Sequence, residues 1–121
     1  MMWCDMDKEE MKTRTKAFAL RVLKVVKNLP TTTEGKVIAY QLAKSGTSVG
    51  ANYRAACRAR SNKEFIAKLG VVLEEADETA FWLELIMEGG ILSAAKIKNL
   101  HQEADELCAV LFSSIRSTSE K

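Results

Sequence analysis

The chain has 121 residues, 47% of them apolar and 28% charged, and a formal net charge of +2. That length supports a single domain, 1–121, with a real core, and that apolar content excludes a disordered chain. A net charge this small excludes neither acidic nor basic partners, so the distribution of charge decides more. Residues 36–70 carry seven basic side chains and one acid, Glu64, whereas residues 74–88 carry six acids and no base.

The first segment, Met1 to Lys12, carries Asp5, Asp7, Glu9 and Glu10 and no apolar run, unlike a signal peptide. No segment approaches about 18 consecutive apolar residues, so no membrane span is expected and the cytoplasm is the expected compartment. The first helical pattern runs over about 7–29. Phe18, Val22, Val25 and Leu29 step by four, three and four along one helical face. Pro30 ends it, because the residue before a proline avoids helical dihedrals. Thr31 followed by Glu34 fits a capping box and opens a second helix over about 32–60. Gly46 and Gly50 each weaken that helix by about 1 kcal/mol relative to Ala. The cost asks for a packing reason; the alternative is a break at Gly46 and two short helices.

Ser61 and Glu64 repeat the capping pattern and open a third helix, about 62–88. Its stripe is Phe65, Leu69, Val72, Ala76, Ala80, Leu83 and Met87, widened by Trp82 and Ile86. Gly89-Gly90 supplies a left-handed stop. Ser93 can cap a fourth helix, about 93–117, with Ile97, Leu100, Ala104, Leu107, Leu111 and Ile115 at near-heptad spacing. The tail from Ser117 is polar and expected to fray. Four amphipathic helices with short connections predict an all-α, antiparallel up-down-up-down bundle.

The second helix carries two unusual stripes. Gln41, Ser45, Ser48 and Asn52 share one face, small and polar where Leu or Ile would be ordinary. Such residues suit a close helix–helix contact whose hydroxyls bond back to carbonyls, or a subunit interface. Asn52 fits a device that specifies register or oligomer state. Glu78 and Thr79, near Phe81 and Trp82, are placed to hydrogen-bond across such an interface. The other stripe is Lys44, Thr47, Ala51, Arg54 and Arg58, followed by Arg60, Lys63 and Lys68. Arginine forks suit phosphate, so Lys44, Arg54, Arg58, Arg60, Lys63 and Lys68 are candidate nucleic-acid contacts. The alternatives are a solvated face or pairing with the acidic third helix of a neighbour.

No enzyme chemistry stands out, and no cofactor or metal is expected. A di-iron bundle site needs two Glu-x-x-His pairs, but His101 is the one histidine, Lys98 precedes it by three, and Glu75 with Glu78 has no histidine in register. Phosphate-binding loops, dinucleotide turns and nucleophile elbows are missing. Cys4, Cys57 and Cys108 lack metal spacing and read as reduced thiols, with Cys57 and Cys108 packed. Arg54 and Arg58 flank Cys57, yet no catalytic partner accompanies it.

Three ordered motifs carry a family resemblance: Gln41-Leu42 with Ser45 through Arg54; Ala59-x-Ser61-x-Lys63-x-Phe65-Ile66-x-Lys68-Leu69; and Glu75 through Thr79 with Trp82-Leu83-Glu84-Leu85. From about Phe18 to Leu111 the chain resembles the bacterial four helix bundle proteins encoded in intervening sequences of 23S rRNA genes. The resemblance implies a homopentameric ring of four-helix bundles with no known enzymatic activity. It also relates the chain to accessory proteins of diversity-generating retroelements, basic pentamers that bind nucleic acid and a reverse transcriptase. Ala55 stands where the family commonly has an acid, so any ion pair made by that acid is missing here. The expected function is a non-enzymatic homo-oligomer that binds RNA or DNA, with a reverse transcriptase or ribosomal component as possible protein partner. The alternative is a protein-interaction scaffold without nucleic-acid contact.

Overall fold

Each predicted helix has its counterpart in the computed structural model, which describes residues 2–120 and the side chains of residues 8–120. Helix α1 spans Met2–Lys27, α2 Thr33–Ala56, α3 Asn62–Glu88 and α4 Ala94–Ser119. Val22 faces Gly46 and Thr15 faces Gly50, while Glu84 meets His101 and Arg14 meets Glu103. Rising numbers on one helix meet falling numbers on its neighbour, so adjacent helices run antiparallel. None of these helices is long and apolar enough to cross a membrane. The thiol of Cys4 lies outside the described side chains.

The ends differ from expectation in instructive ways. Helix α2 starts one residue later, because Thr32 and not Thr31 is the N-cap; its Oγ1 accepts from the Gly35 N–H at 3.1 Å. Gly35 therefore occupies the position where a capping box needs a carboxylate. The same helix stops at Ala56, four residues early. The Arg60 N–H, which would continue it, donates instead to Glu64 Oε1 at 3.1 Å, while Ser61 Oγ accepts from the Glu64 N–H. The start of α3 thus competes with the end of α2 and wins. Helix α1 ends at Lys27, where Asn28 Nδ2 donates to the Lys24 carbonyl and closes the last turn. Helix α3 ends as predicted. Gly90 adopts φ 66°, its N–H reaches the Met87 carbonyl, and the Ile91 N–H reaches that of Ile86. The polar tail does not fray at Ser117; α4 continues to Ser119.

Helix α2 is unbroken through both glycines. A Cβ at Gly46 would lie 2.6 Å from Val22 Cγ1, and one at Gly50 would lie 3.3 Å from the Thr15 carbonyl oxygen. The glycines let the α1 and α2 backbones approach, which is the packing reason their helix cost required. Thr15 is fully buried at this seam, and its hydroxyl donates to the Met11 carbonyl at 2.7 Å. The core beneath is apolar: Phe18, Val22, Leu42, Val49, Leu69, Leu83, Ile97 and Leu107 are at most 1% exposed.

The fourth seam is looser. Helices α1 and α4 part toward the C-terminal end of α1, leaving a cleft of about 380 Å³ over Val25, Leu92, Ile97 and Leu100. Further along, Arg14 ties them. Its Nε donates to Glu103 Oε2 at 2.7 Å, and Nη2 donates to Glu103 Oε1 at 3.0 Å and Glu106 Oε1 at 3.1 Å. The hydrogen bond it donates to Glu103 raises the Arg14 pKa further above its already high ordinary value.

Candidate functional site

The α2–α3 connection, residues 57–61, turns the chain at one end of the bundle. Arg54 sits in the last turn of α2, Arg58 and Arg60 in the connection, and Lys63 in the first turn of α3. Arg58 is therefore not on the helical stripe expected for it. Ending α2 early instead gathers four exposed cations at one corner. None of the four has an ion-pair partner among the described residues. Glu64, the nearby acid, spends one oxygen on the Arg60 N–H. Arginine forks in this state keep their donors free for phosphate oxygens.

Two predicted members lie apart. Lys44 is ten residues before Arg54, or about 15 Å along the helix at 1.5 Å per residue. It faces Glu75 of α3: burial and the charge of Glu78 push the Glu75 carboxyl above its ordinary range, while Lys44 draws it back down. Lys68 is half-buried on α3. A residue missed by sequence reading is Lys8, whose Nζ lies 5.2 Å from the Phe65 ring centroid. This cation–π contact brings the start of α1 to the same end of the bundle. The signal was hidden because Lys8 sits among acids in sequence.

The polar stripe divides. Ser45 is buried, and its Oγ lies 2.9 Å from Thr79 Oγ1, which is 2.7 Å from the Glu75 carbonyl. Thr79 thus bonds inside its own bundle, not across a subunit interface. Gln41, Ser48 and Asn52 are half-exposed, so they are not an inward stripe. Ser48 Oγ donates to the Lys44 carbonyl at 2.6 Å and Asn52 Nδ2 to the Ser48 carbonyl at 2.9 Å. The close helix contact is made by Gly46 and Gly50 on the adjoining face. Trp82 Nε1 donates to Glu78 Oε2 at 3.2 Å, tying those two residues on α3.

Residues 7–113 match the sequence profile described as 23S rRNA-intervening sequence protein. The chain belongs to that family. A solved member of what is called the S23 ribosomal protein family, a protein of unknown function from Bacteroides thetaiotaomicron, is similar in structure. It shares 34% identity with a TM-score of 0.81, over 87% of this chain and 97% of that one. No curated protein matches.

Other polar groups of this family member bridge helices or pack against the core. His101 Nε2 lies 2.8 Å from Glu84 Oε2, bridging α4 to α3. Cys57 and Cys108 are free, half-buried and packed against the core. Burial, followed by the charges of Asp77 and Asp105, pushes the Cys108 thiol up to about 11. Among the described residues, no group of three His, Cys, Asp or Glu side chains is arranged to hold a metal ion.

Proposed function

We propose that this protein is a non-enzymatic, self-associating helical bundle that binds RNA or DNA through Arg54, Arg58, Arg60 and Lys63. The observation that carries the reading is the α2–α3 corner, where four exposed cations within ten residues have no acidic partner among the described residues. Lys44 on α2 and half-buried Lys68 on α3 lie apart from the corner and add secondary contacts. In a homopentameric ring, the assembly implied by the family resemblance, the corner repeats five times and its weak single contacts add.

A gel-shift titration with labelled RNA and duplex DNA tests this. Four phosphate contacts predict that affinity for duplex falls about 100-fold between 50 and 200 mM salt. Arg54→Glu/Arg58→Glu removes binding while helicity is kept. Binding that ignores both salt and charge reversal refutes the reading. The second reading, a protein-interaction scaffold, draws support from the exposed Val71, Phe81 and Leu85 on α3. It predicts no shift with either nucleic acid.

A further inference from the structure

Two surfaces of the bundle carry opposite charge beside apolar side chains. The first is the α1–α4 cleft. Ile97 and Leu100 lie buried beneath it, half-buried Val25 and Leu92 supply its apolar surface, and Arg21, Lys24 and Lys96 stand around it. These three cations make no ion pair among the described residues. The second is the outer face of α3. Val71, Glu74, Glu78, Phe81 and Leu85 step by three, four, three and four, so they form one stripe. Val71 is 43%, Phe81 49% and Leu85 37% exposed, with Glu74 and Glu78 exposed between them. Helix α3 already buries Leu69, Val72, Ala76 and Leu83 on its inner face.

We propose that the acidic, apolar stripe of α3 from one copy docks into the basic, apolar α1–α4 cleft of another copy. The inference rests on the self-association proposed above and assigns the surfaces that make it. Both components match: Val71, Phe81 and Leu85 meet half-buried Val25 and Leu92, and Glu74 and Glu78 meet Arg21, Lys24 and Lys96. Cleft and stripe are different surfaces, so the contact is heterologous. Each copy offers one of each, and repetition builds a ring or a filament. The α2–α3 corner stays free.

Light scattering coupled to gel filtration tests the assignment with four exposed residues. Arg21→Glu/Lys96→Glu makes both surfaces acidic, and Glu74→Lys/Glu78→Lys makes both basic. Each double variant runs as a monomer, with circular dichroism confirming the fold. The quadruple variant, with the charges exchanged, recovers the assembly. Double variants that stay assembled, or a folded quadruple variant that stays monomeric, overturn the docking but leave self-association standing. A monomeric wild-type protein overturns both. Loss of nucleic-acid binding by Arg21→Glu/Lys96→Glu, with assembly unchanged, gives the cleft cations to phosphate and also overturns the docking.

Discussion

Replacing Gly46 with alanine sets two effects of opposite sign on one methyl group. Alanine gains about 1 kcal/mol of helix propensity over glycine. Against that, the new Cβ would lie 2.6 and 2.8 Å from the two Val22 methyls and 3.0 Å from Val22 Cβ. Ordinary carbon contacts lie at about 3.5–4.0 Å, so something must move by about 1 Å. Val22 is fully buried and β-branched, with one strongly preferred rotamer in a helix. It cannot swing aside, and the contact includes its stem, so the helices must separate. Overpacking of this kind costs about 1–3 kcal/mol, and a clash with the stem belongs in the upper half of that range. The net expectation is a loss of about 1–2 kcal/mol, or a Tm lower by about 4–8 °C. Gly70→Ala is the control. Nothing lies within 4 Å of a Cβ there, so the variant gains most of the roughly 1 kcal/mol of propensity. Urea melts followed at 222 nm, at one protein concentration, measure both. Gly46→Ala as stable as wild type would refute the account of the seam. Val22→Ala in the Gly46→Ala background relieves the clash, so the two changes are less than additive.

Thr79→Val takes from the buried Ser45 hydroxyl its shorter contact, leaving only the Leu42 carbonyl at 3.5 Å, and costs about 1–3 kcal/mol in urea melts, whereas Ser45→Ala/Thr79→Val recovers part of the loss. Arg14→Ala removes the fork to Glu103, with an expected cost of about 1 kcal/mol because the pair is part-exposed; an unchanged melt counts against the clamp. Cys108 resists iodoacetamide in the folded protein at pH 8, where a thiol titrating near 11 is about 0.1% thiolate. Peptide mapping that finds it labelled as fast as in urea contradicts this. The Glu75 pKa is raised on folding, so the folded state holds its proton more tightly than the unfolded state. Stability from this group therefore falls as pH rises past the unfolded value near 4.5 and through the folded one. Glu75→Gln is more stable than wild type at pH 7, and the advantage fades below pH 4.5; an advantage constant with pH disproves the assignment.

The helices were legible because Phe18–Val22, Leu69–Val72–Ala76 and Ile97–Leu100–Ala104 repeat at helical spacing and bury as that spacing requires. Caps were legible where carboxylate and hydroxyl stand three apart, as at Ser61 and Glu64, and misplaced by one where Thr31, Thr32 and Thr33 compete. The polar stripe was harder. Phase alone set Gln41, Ser45, Ser48 and Asn52 on one side, but only the neighbouring helix decides where along that arc burial begins. Ser45 faces Thr79; the other three fall on the flank. The clamp from Arg14 to Glu103 and the contact of Lys8 with Phe65 join distant parts of the chain, and helical period carries no information about such pairs. The cationic corner was visible as composition, while its gathering at a bend came from the contest for the Arg60 N–H.

The loose fourth seam sets an order of assembly. Helices α1 and α2, α2 and α3, and α3 and α4 are each joined by five residues, so each hairpin closes at small entropic cost. The Arg14–Glu103 tie joins positions 89 apart and rewards the chain only after three hairpins have formed. Weakening it therefore speeds unfolding and leaves the refolding rate nearly unchanged in stopped-flow experiments. In kinetic terms the bundle is a row of hairpins closed by a latch between its first and last helices.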